Sequence, residues 1–506
     1  MVKPVTNNEI IMLKQKDIDL LRNKNISEQQ LFVDNKKIPS ISGQTIDVIS
    51  PIDGKNITTI ANANAEDVDN TVKVARKSFD NGYWSKAAPQ ERKKVLIRFA
   101  ELIEANALEL AVLGVRDNGT EINMAIMAEP TSAASCIRYY AETIDKMYGE
   151  IAPTSDSILG LIHREPIGVI GAIIPWNFPL MIASWKFAPA LSTGNSVIIK
   201  CAENASLALL KLAELATEAG IPAGVFNVIT GEGEVTGKAL AMHMDVDVIA
   251  FTGSGVVGRK ILDYSSRSNL KRVYLELGGK SPNIVFADTK DIDKAVTQSL
   301  GGIFRNSGQV CVAGSRLIIE ESIADEFTEK LINESKKLIV GDPLDLSSNI
   351  GAIASQDQLN KNLNYIDSAL TEGAILRSGG KQINHDLGGY YMEPTVFSKV
   401  NTKMKIAQEE VFGPVLSVLT CKNENDAIDI ANNTVYGLAA AVWTTDLSRA
   451  HRMIRSIKAG VVHVNCYGGA DLTVPLGGVK QSGNGHDRSL HALEKYTDLK
   501  TAWISL

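Results

Sequence analysis

The sequence has no apolar run long enough to cross a bilayer. Its most hydrophobic stretch, Ile167 to Trp176, is about half of the roughly 20 residues a membrane helix needs, and Pro175 closes it. It also lacks a block of Lys or Arg long enough to clamp a polyphosphate backbone, and with a formal charge of -6 no nucleic-acid partner is expected. Cysteine is sparse: Cys136, Cys201, Cys311, Cys421 and Cys466 are odd in number, widely spaced and never in a CxxC pair. That pattern argues against a disulfide framework or structural zinc, so no metal is expected, and one thiol is free to be reactive. The first residues mix Asn, Glu, Lys and Asp with Met and Ile and lack a basic start followed by an apolar core. No secretory signal is read there, and a cytoplasmic location is the expectation.

What is present is a chain of 506 residues, which at roughly 100–200 residues per domain holds two to four domains. Hydrophobic residues at 44% and charged residues at 22% are ordinary globular values, so neither disorder nor a fibrous architecture is expected. Residues 1 to about 30 are polar and weakly periodic, an N-terminal arm or short helix, and strands begin after Gln30. From Glu66 to Leu113 apolar residues recur at helical spacing, as in Val68, Val72, Ala75 and Phe79 and again in Leu96, Phe99 and Ile103.

Between Ile167 and Leu277 short apolar strands alternate with helices. The strands are Gly168 to Ile174, Ser196 to Lys200, Val225 to Ile229, Val246 to Phe251 and Val273 to Leu277; the helices lie near Ala205 to Ala219, Val235 to Met242 and Val257 to Ser265. This alternation predicts a parallel sheet covered on both faces, a doubly wound nucleotide-binding domain with its ligand at the strand C-terminal ends. A second α/β pattern follows Gly278 and Gly279, with strands near Asn283 to Phe286, Arg316 to Ile319, Val415 to Thr420, Ala439 to Trp443 and Val461 to Asn465. No internal repeat or low-complexity linker separates the two.

Three local patterns carry chemistry. The segment Phe304-Arg-Asn-Ser-Gly-Gln-Val-Cys-Val-Ala-Gly-Ser-Arg316 sets Cys311 among small and polar residues, a setting for a reachable thiol, although a free Cys by itself is more often a buried small hydrophobe. In Tyr274-Leu-Glu-Leu-Gly-Gly-Lys-Ser-Pro282, Glu276 interrupts an apolar strand just before a glycine pair; alone it reads as a solvated strand-end charge or as a general base. Pro175-Trp-Asn-Phe-Pro179 is a rigid turn that either aims the Asn177 amide into a cavity or lets it bond its own backbone. A soft nucleophile, a carboxylate and an amide donor together suit thiol attack on a carbonyl, since the amide stabilises the developing oxyanion and the base activates water.

With these motifs the chain resembles the aldehyde dehydrogenase superfamily from about residue 30 to its end. The resemblance is carried by Pro175 to Pro179, Lys200-Cys-Ala-Glu203, Phe251-Thr-Gly-Ser254, Glu276-Leu-Gly-Gly279, Gly308-Gln-Val-Cys311, Glu410-Val-Phe-Gly-Pro414 and Pro475-Leu-Gly-Gly-Val-Lys-Gln-Ser-Gly483. It implies an α/β fold: a Rossmann-type parallel-sheet NAD domain (1–147 and 168–278), an α/β catalytic domain (279–480) and a small oligomerisation arm (148–167 and 481–506). It implies that Cys311 forms a thiohemiacetal and then a thioester, that Asn177 and the Cys311 N–H make the oxyanion hole, that hydride passes to a nicotinamide, and that Glu276 activates the hydrolytic water. Hydride leaves readily only from a tetrahedral oxyanion, so addition precedes oxidation.

By the same resemblance Lys200 and Glu203 bind the adenosine ribose, and the acidic Glu203 favours NAD over NADP. Phe251, Gly253, Ser254, Val257 and Gly258 form the strand, turn and helix start that meet the pyrophosphate. Glu410 and Phe412 match the positions holding the nicotinamide ribose and ring, Gly233 the adenine side, and Ile174, Pro175, Trp176, Gly237, Leu277, Gly278 and Lys361 further cofactor contacts.

Departures from the family pattern are Cys201 where proline is usual, Leu476 and Val479 where aromatics are commoner, and His486 where arginine is usual. Within the superfamily, Arg138 to Tyr148, Glu320 to Phe327 and the tail from Gln481 to Leu506 resemble the branch acting on γ-glutamyl-γ-aminobutyraldehyde, which implies an aminoaldehyde or related extended substrate. Phe178, Trp185 and Tyr467 match positions of an aromatic substrate tunnel, open to an amine through cation–π contact, and Glu129 and Asp471 match acidic positions of aminoaldehyde enzymes. A broad-range aldehyde or betaine-aldehyde dehydrogenase is the alternative substrate reading. A CoA-acylating enzyme is disfavoured by Glu276 and a non-catalytic relative by the retained thiol. Met147 to Glu165 and Lys500 to Ser505 match the family's sheet-extending arm, so a homodimer or homotetramer is expected.

Overall fold

The computed structural model describes residues 13–469 and 471–506. Five parallel strands, in the spatial order Arg272–Glu276, Val248–Thr252, Val169–Ile173, Ser196–Lys200 and Phe226–Ile229, make up most of a seven-stranded sheet, with Arg272–Glu276 at one edge. Their sequences, such as Ser-Val-Ile-Ile-Lys, are runs of β-branched residues buried on both faces, as a sheet covered by helices on both sides requires. Leu31–Val33 and Lys36–Ile38 extend it as an antiparallel ribbon. After Val169–Ile173 the chain winds outward through two strands and then returns to pair on the other side. The reversal leaves a crevice at the C-terminal ends of Val169–Ile173 and Val248–Thr252.

The helices predicted over Glu66 to Leu113 are Ala65–Asn81, Pro89–Ala105 and the start of Ala107–Asn118. The first opens with a capping box in which Asn64 and Asp67 satisfy each other's backbone N–H groups, and closes on Gly82 at φ 85°, where an L side chain is strained. The N-terminal arm contains one helix, Gln15–Arg22.

The second sheet also has seven strands, ordered Ile375–Ser378, Thr395–Ser398, Val415–Cys421, Arg316–Glu320, Pro282–Val285, Ala439–Trp443 and Val461–Val464; only the first runs antiparallel. The first two were not expected from the sequence, being four residues each with only two successive apolar residues beside polar or charged ones. A third sheet joins Thr497–Ser505 to Ile158–Pro166 over nine residue pairs, and the latter to Glu150–Ala152. Residues 483–487 do not lie in that sheet: Gly483 bridges to Glu276, and Asn484 accepts from Leu275 N–H at 2.8 Å, so this stretch is stitched to the first sheet. No helix among the described residues is long and apolar enough to cross a membrane.

Candidate active site

Strand register sets the first row of site residues. Ile173 pairs with Lys200 on one side and Phe251 on the other, and Thr252, one step beyond, pairs with Glu276. The loops leaving this edge carry Ile174 to Asn177, Cys201 to Glu203, Gly253 with Ser254, and Leu277 with Gly278. The second row comes from lead-in segments of the other sheet: Gly279 before Pro282–Val285, Cys311 before Arg316–Glu320, and Glu410 to Phe412 before Val415–Cys421.

The Cys311 loop is held from both ends. Downstream, buried Arg316 donates to the Lys280, Ile430 and Ala431 carbonyls at 3.0, 2.9 and 2.8 Å. Upstream, Asn306, Ser307 and Gly308 are successive left-handed residues at φ 49°, 54° and 73°. Such a run is costly for non-glycine residues and persists only where neighbours enforce it. Here Asn306 does so: its N–H donates to Glu121 Oε1 at 3.1 Å, its Nδ2 to the Asn177 carbonyl at 3.1 Å, and its Oδ1 accepts from Thr120 at 2.8 Å. Asn177 Nδ2 in turn donates to the Gln309 carbonyl at 2.8 Å. One amide proton is thereby committed to the loop, which orients the amide and leaves its second N–H without a partner among the described residues.

Cys311 stands where two cavities join. The larger, about 260 Å³, is lined by Phe178, Trp185, Glu276, Leu476 and Arg488 among others; the smaller, about 160 Å³, by Pro175, Trp176, Asn177, Ser254, Gly278, Lys361, Glu410 and Phe412. Cys311, Ile182, Thr252 and Leu277 belong to both. Enclosure, followed by the Glu410 and Glu276 charges, pushes the Cys311 thiol up to about 12, while the Val312 N–H opposes them. Glu276 is buried with Oε1 unpartnered; burial first, then Asp487, lifts it well above the usual carboxylate range, against the pull of Lys186, Lys495 and Arg488.

Behind Glu276 lies an enclosed ion cluster. Asp487 accepts from Lys186 at 2.8 Å and Lys495 at 2.5 Å, with all three side chains almost wholly buried. Burial would raise Asp487, but the two ammonium groups hold it below the usual carboxylate range.

Of the residues expected to hold a cofactor, Pro175, Trp176, Gly253, Ser254, Leu277, Gly278, Lys361, Glu410 and Phe412 line the smaller cavity, whereas Ile174, Lys200, Glu203, Gly233, Gly237, Phe251 and Val257 do not. Lys200 Nζ donates to Glu203 Oε1 at 3.1 Å, and the same oxygen accepts from Gly233 N–H at 2.7 Å. Gly237 closes the turn that Gly233 opens, and an added Cβ there would meet nothing. Ser254 caps the helix Gly255–Ser266, its Oγ accepting from Val257 N–H. Ile174 N–H donates to the Lys200 carbonyl, and Leu277 N–H to that of Ser482. Glu410 Oε1 accepts from Gly279 N–H at 3.0 Å, burial pushing its pKa up to about 7, and a Cβ on Gly278 would collide with this carboxyl. Phe412, at φ 60°, meets Trp176 edge-on at 5.2 Å. Cys201 is fully buried and its pKa is pushed up to about 12 by burial, so it packs as a small hydrophobe.

Three residues expected at the substrate do not line the larger cavity. Glu129 is buried under the helix Pro179–Ser192, its Oε2 accepting from Met181 N–H at 2.9 Å, so its carboxyl satisfies the helix start, and burial pushes its pKa up to about 8. Asp471 is exposed and accepts from Thr473. Tyr467 supports the Cys311 loop from behind, donating to the Val312 carbonyl at 2.8 Å. Conversely, Thr252, Gln358, Arg305 and Arg488 line the cavities without having been singled out from sequence. Arg305 lay inside the quoted cysteine segment and Arg488 inside the quoted tail, but neither fits a recognised catalytic pattern.

Residues 38–502 match the aldehyde dehydrogenase family. The chain is 47% identical over 479 residues to the NADP/NAD-dependent aldehyde dehydrogenase PuuC of Escherichia coli K12, covering 95% of this chain and 96% of the relative. Among solved structures, an indole-3-acetaldehyde dehydrogenase complexed with NAD+ matches with a TM-score of 0.96 at 50% identity, covering 98% of this chain and 100% of that one. The γ-glutamyl-γ-aminobutyraldehyde dehydrogenase of Burkholderia cenocepacia matches with a TM-score of 0.95 at 48% identity and the same coverage. With this likeness running along nearly its whole length, the chain belongs to the aldehyde dehydrogenase family and is an enzyme that oxidises small aldehydes with NAD or NADP as acceptor.

Proposed function

We propose that this enzyme oxidises its aldehyde through a covalent adduct on Cys311, with NAD preferred over NADP. The observation that carries the reading is the place of Cys311 at the junction of two cavities, with Glu276 in one and Glu410 and Phe412 in the other. The smaller cavity fits a dinucleotide end: it lies at a sheet reversal, its Thr252 hydroxyl is buried without a partner, and the glycines at 253 and 278 let backbone approach. Lys200 and Glu203 would hold the adenosine ribose, and the Glu203 charge would repel a 2′-phosphate.

The chain's own groups account for the covalent steps. The Cys311 sulfur bonds to the carbonyl carbon as its proton passes to solvent water. The carbonyl π pair moves onto oxygen, which the free Asn177 N–H and the Cys311 N–H receive. Bound NAD supplies the hydride acceptor, so that oxidation leaves a thioester on Cys311. Glu276 then removes a proton from water, the oxygen adds to the thioester carbon, the C–S bond breaks, and the acid leaves with the thiol restored.

The first sheet would carry the cofactor, the second the thiol, and the third sheet, which exposes Ile151, Leu499 and Trp503, a homo-oligomer contact. The substrate is an extended aldehyde, an aminoaldehyde derivative such as γ-glutamyl-γ-aminobutyraldehyde included. Support comes from the names of the similar proteins and from a cavity close to the lower bound of about 300 Å³ for small-molecule pockets. With Glu129 and Asp471 outside that lining, a bare ammonium end has no carboxylate of theirs to meet. The test is NADH absorbance with a short aldehyde and no CoA. The parent protein gives steady turnover, whereas Cys311→Ala gives none while still binding NAD. Turnover surviving in Cys311→Ala overturns the reading.

A further inference from the structure

The larger cavity contains three donors that have no partner among the described residues. Arg488 lies over the Trp185 ring, its guanidinium carbon 4.2 Å from the centroid, and makes no hydrogen bond or ion pair among the described residues; its Nε is buried and unpartnered. Arg305, six residues before Cys311, faces the same space, also with a buried, unpartnered Nε and no ion pair among the described residues. The indole N–H of Trp185 is the third, buried and without an acceptor.

Two of the acidic groups nearby are engaged elsewhere, and the third, Glu276, is buried with its Oε1 open to the same cavity. Asp487 is held by Lys186 and Lys495, Glu276 is kept toward its neutral form by burial, and Glu121, which senses the Arg305 charge, accepts from Asn306 N–H. His463, the remaining titratable side chain in the lining, is lowered by burial and by Arg305, which favours its neutral form. Arg488 is also aimed at a cost: it and Ser489 occupy the left-handed region at φ 65° and 51°, held by Leu476 pairing with Asp487 and by Ser489 N–H donating to the Leu472 carbonyl at 2.7 Å. A guanidinium enclosed at a cavity wall without an ion-pair partner is unfavourable, and a carboxylate is the anion whose planar geometry its fork matches.

We propose that the substrate carries a carboxylate at the end remote from its aldehyde, received by Arg305, Arg488 and the Trp185 N–H. The proposal rests on the reading that Cys311 is the nucleophile, and it narrows the extended aldehydes to those with an anionic end. An aminoaldehyde derivative belongs to this class only if it also bears an acid group; a plain cationic aldehyde is disfavoured.

Three four-carbon aldehydes separate the outcomes in the enzyme saturated with NAD: butanal, succinate semialdehyde and 4-trimethylammoniobutanal. The expected result is kcat/KM for the carboxylate at least tenfold above butanal, with the cation lowest. Arg488→Met and Arg305→Met each reduce the carboxylate-to-butanal ratio at least tenfold, mainly through KM, and Arg488→Lys restores part of it. In the unsubstituted enzyme glutarate competes with butanal and butylammonium does not, a comparison that requires no variant to fold. Equal efficiency for butanal and the carboxylate, a preference for the cation, or no competition by glutarate overturns the proposal while leaving Cys311 chemistry intact. Absence of NADH formation from all three aldehydes instead overturns the underlying reading.

Discussion

Replacing Glu276 with glutamine separates the two halves of the proposed cycle. Glutamine keeps the volume and removes the base. The native carboxyl contributes no ion pair among the described residues, and Lys186 and Lys495 remain satisfied by Asp487, so the ion cluster survives the change. A positioned general base is worth about 10²–10⁴-fold, equivalent to roughly 3–5 kcal/mol of activation free energy at about 1.4 kcal/mol per decade. Stopped-flow absorbance of NADH is the assay. The variant gives a burst of up to one NADH per site as thioester accumulates, followed by a steady rate lower by that factor. Because burial raises Glu276 above its ordinary range, the parent's rate rises with pH as this carboxyl loses its proton, and the variant lacks that limb. A carboxyl whose folded pKa is raised binds more protons folded than unfolded, so its ionised form costs stability as pH rises above about 4.5. The variant is therefore at least as stable as the parent at pH 8 by thermal melt. An unchanged steady rate with the same pH limb would show that another group, Asp487 or Glu410, serves as base.

Asp487→Asn leaves Lys186 and Lys495 enclosed without a counter-charge, a loss of roughly 3–5 kcal/mol in urea unfolding at neutral pH. Burial lowers Lys186, so the unfolded variant binds more protons than the folded one, and the deficit shrinks as pH rises toward 10; a loss below about 1 kcal/mol contradicts the cluster's role. Glu203→Gln removes a like charge worth roughly 1–4 kcal/mol against a 2′-phosphate, and the NADP-to-NAD efficiency ratio rises about fivefold or more; a constant ratio refutes that role. Asn177→Ala lowers kcat by about 10²–10³ as an oxyanion donor is lost, whereas a change confined to the NAD dissociation constant would place the amide on the cofactor instead.

The parallel strands were legible because burial on both faces demands short continuous apolar runs: Ser196–Lys200 and Ala439–Trp443 begin and end where their sequences suggest. The Ile375–Ser378 and Thr395–Ser398 strands were not, since each is four residues long with only two successive apolar residues, too short a run to show a strand pattern. At the site, Cys311, Glu276 and Asn177 converge from three separate motifs, each with a rigid turn or glycine pair beside it. Glu129 illustrates what a sequence leaves out: a carboxyl near a pocket residue in the chain turns to the Met181 N–H because an open helix start is the nearer donor. Asp487 and its two lysines, 301 and 8 positions apart along the chain, carry no local pattern at all.

The site is drawn from two sheets, and on the proposed chemistry this sets when during synthesis the thiol becomes competent. Asn177 and Glu276 emerge before Cys311, but Glu410 and Phe412 follow it, and the Asp487 cluster that borders Glu276 closes only with Lys495, near the end of the chain. Until that last stretch is placed, Cys311 has no complete cavity to face, so the proposed nucleophile stays disarmed while the chain is still growing.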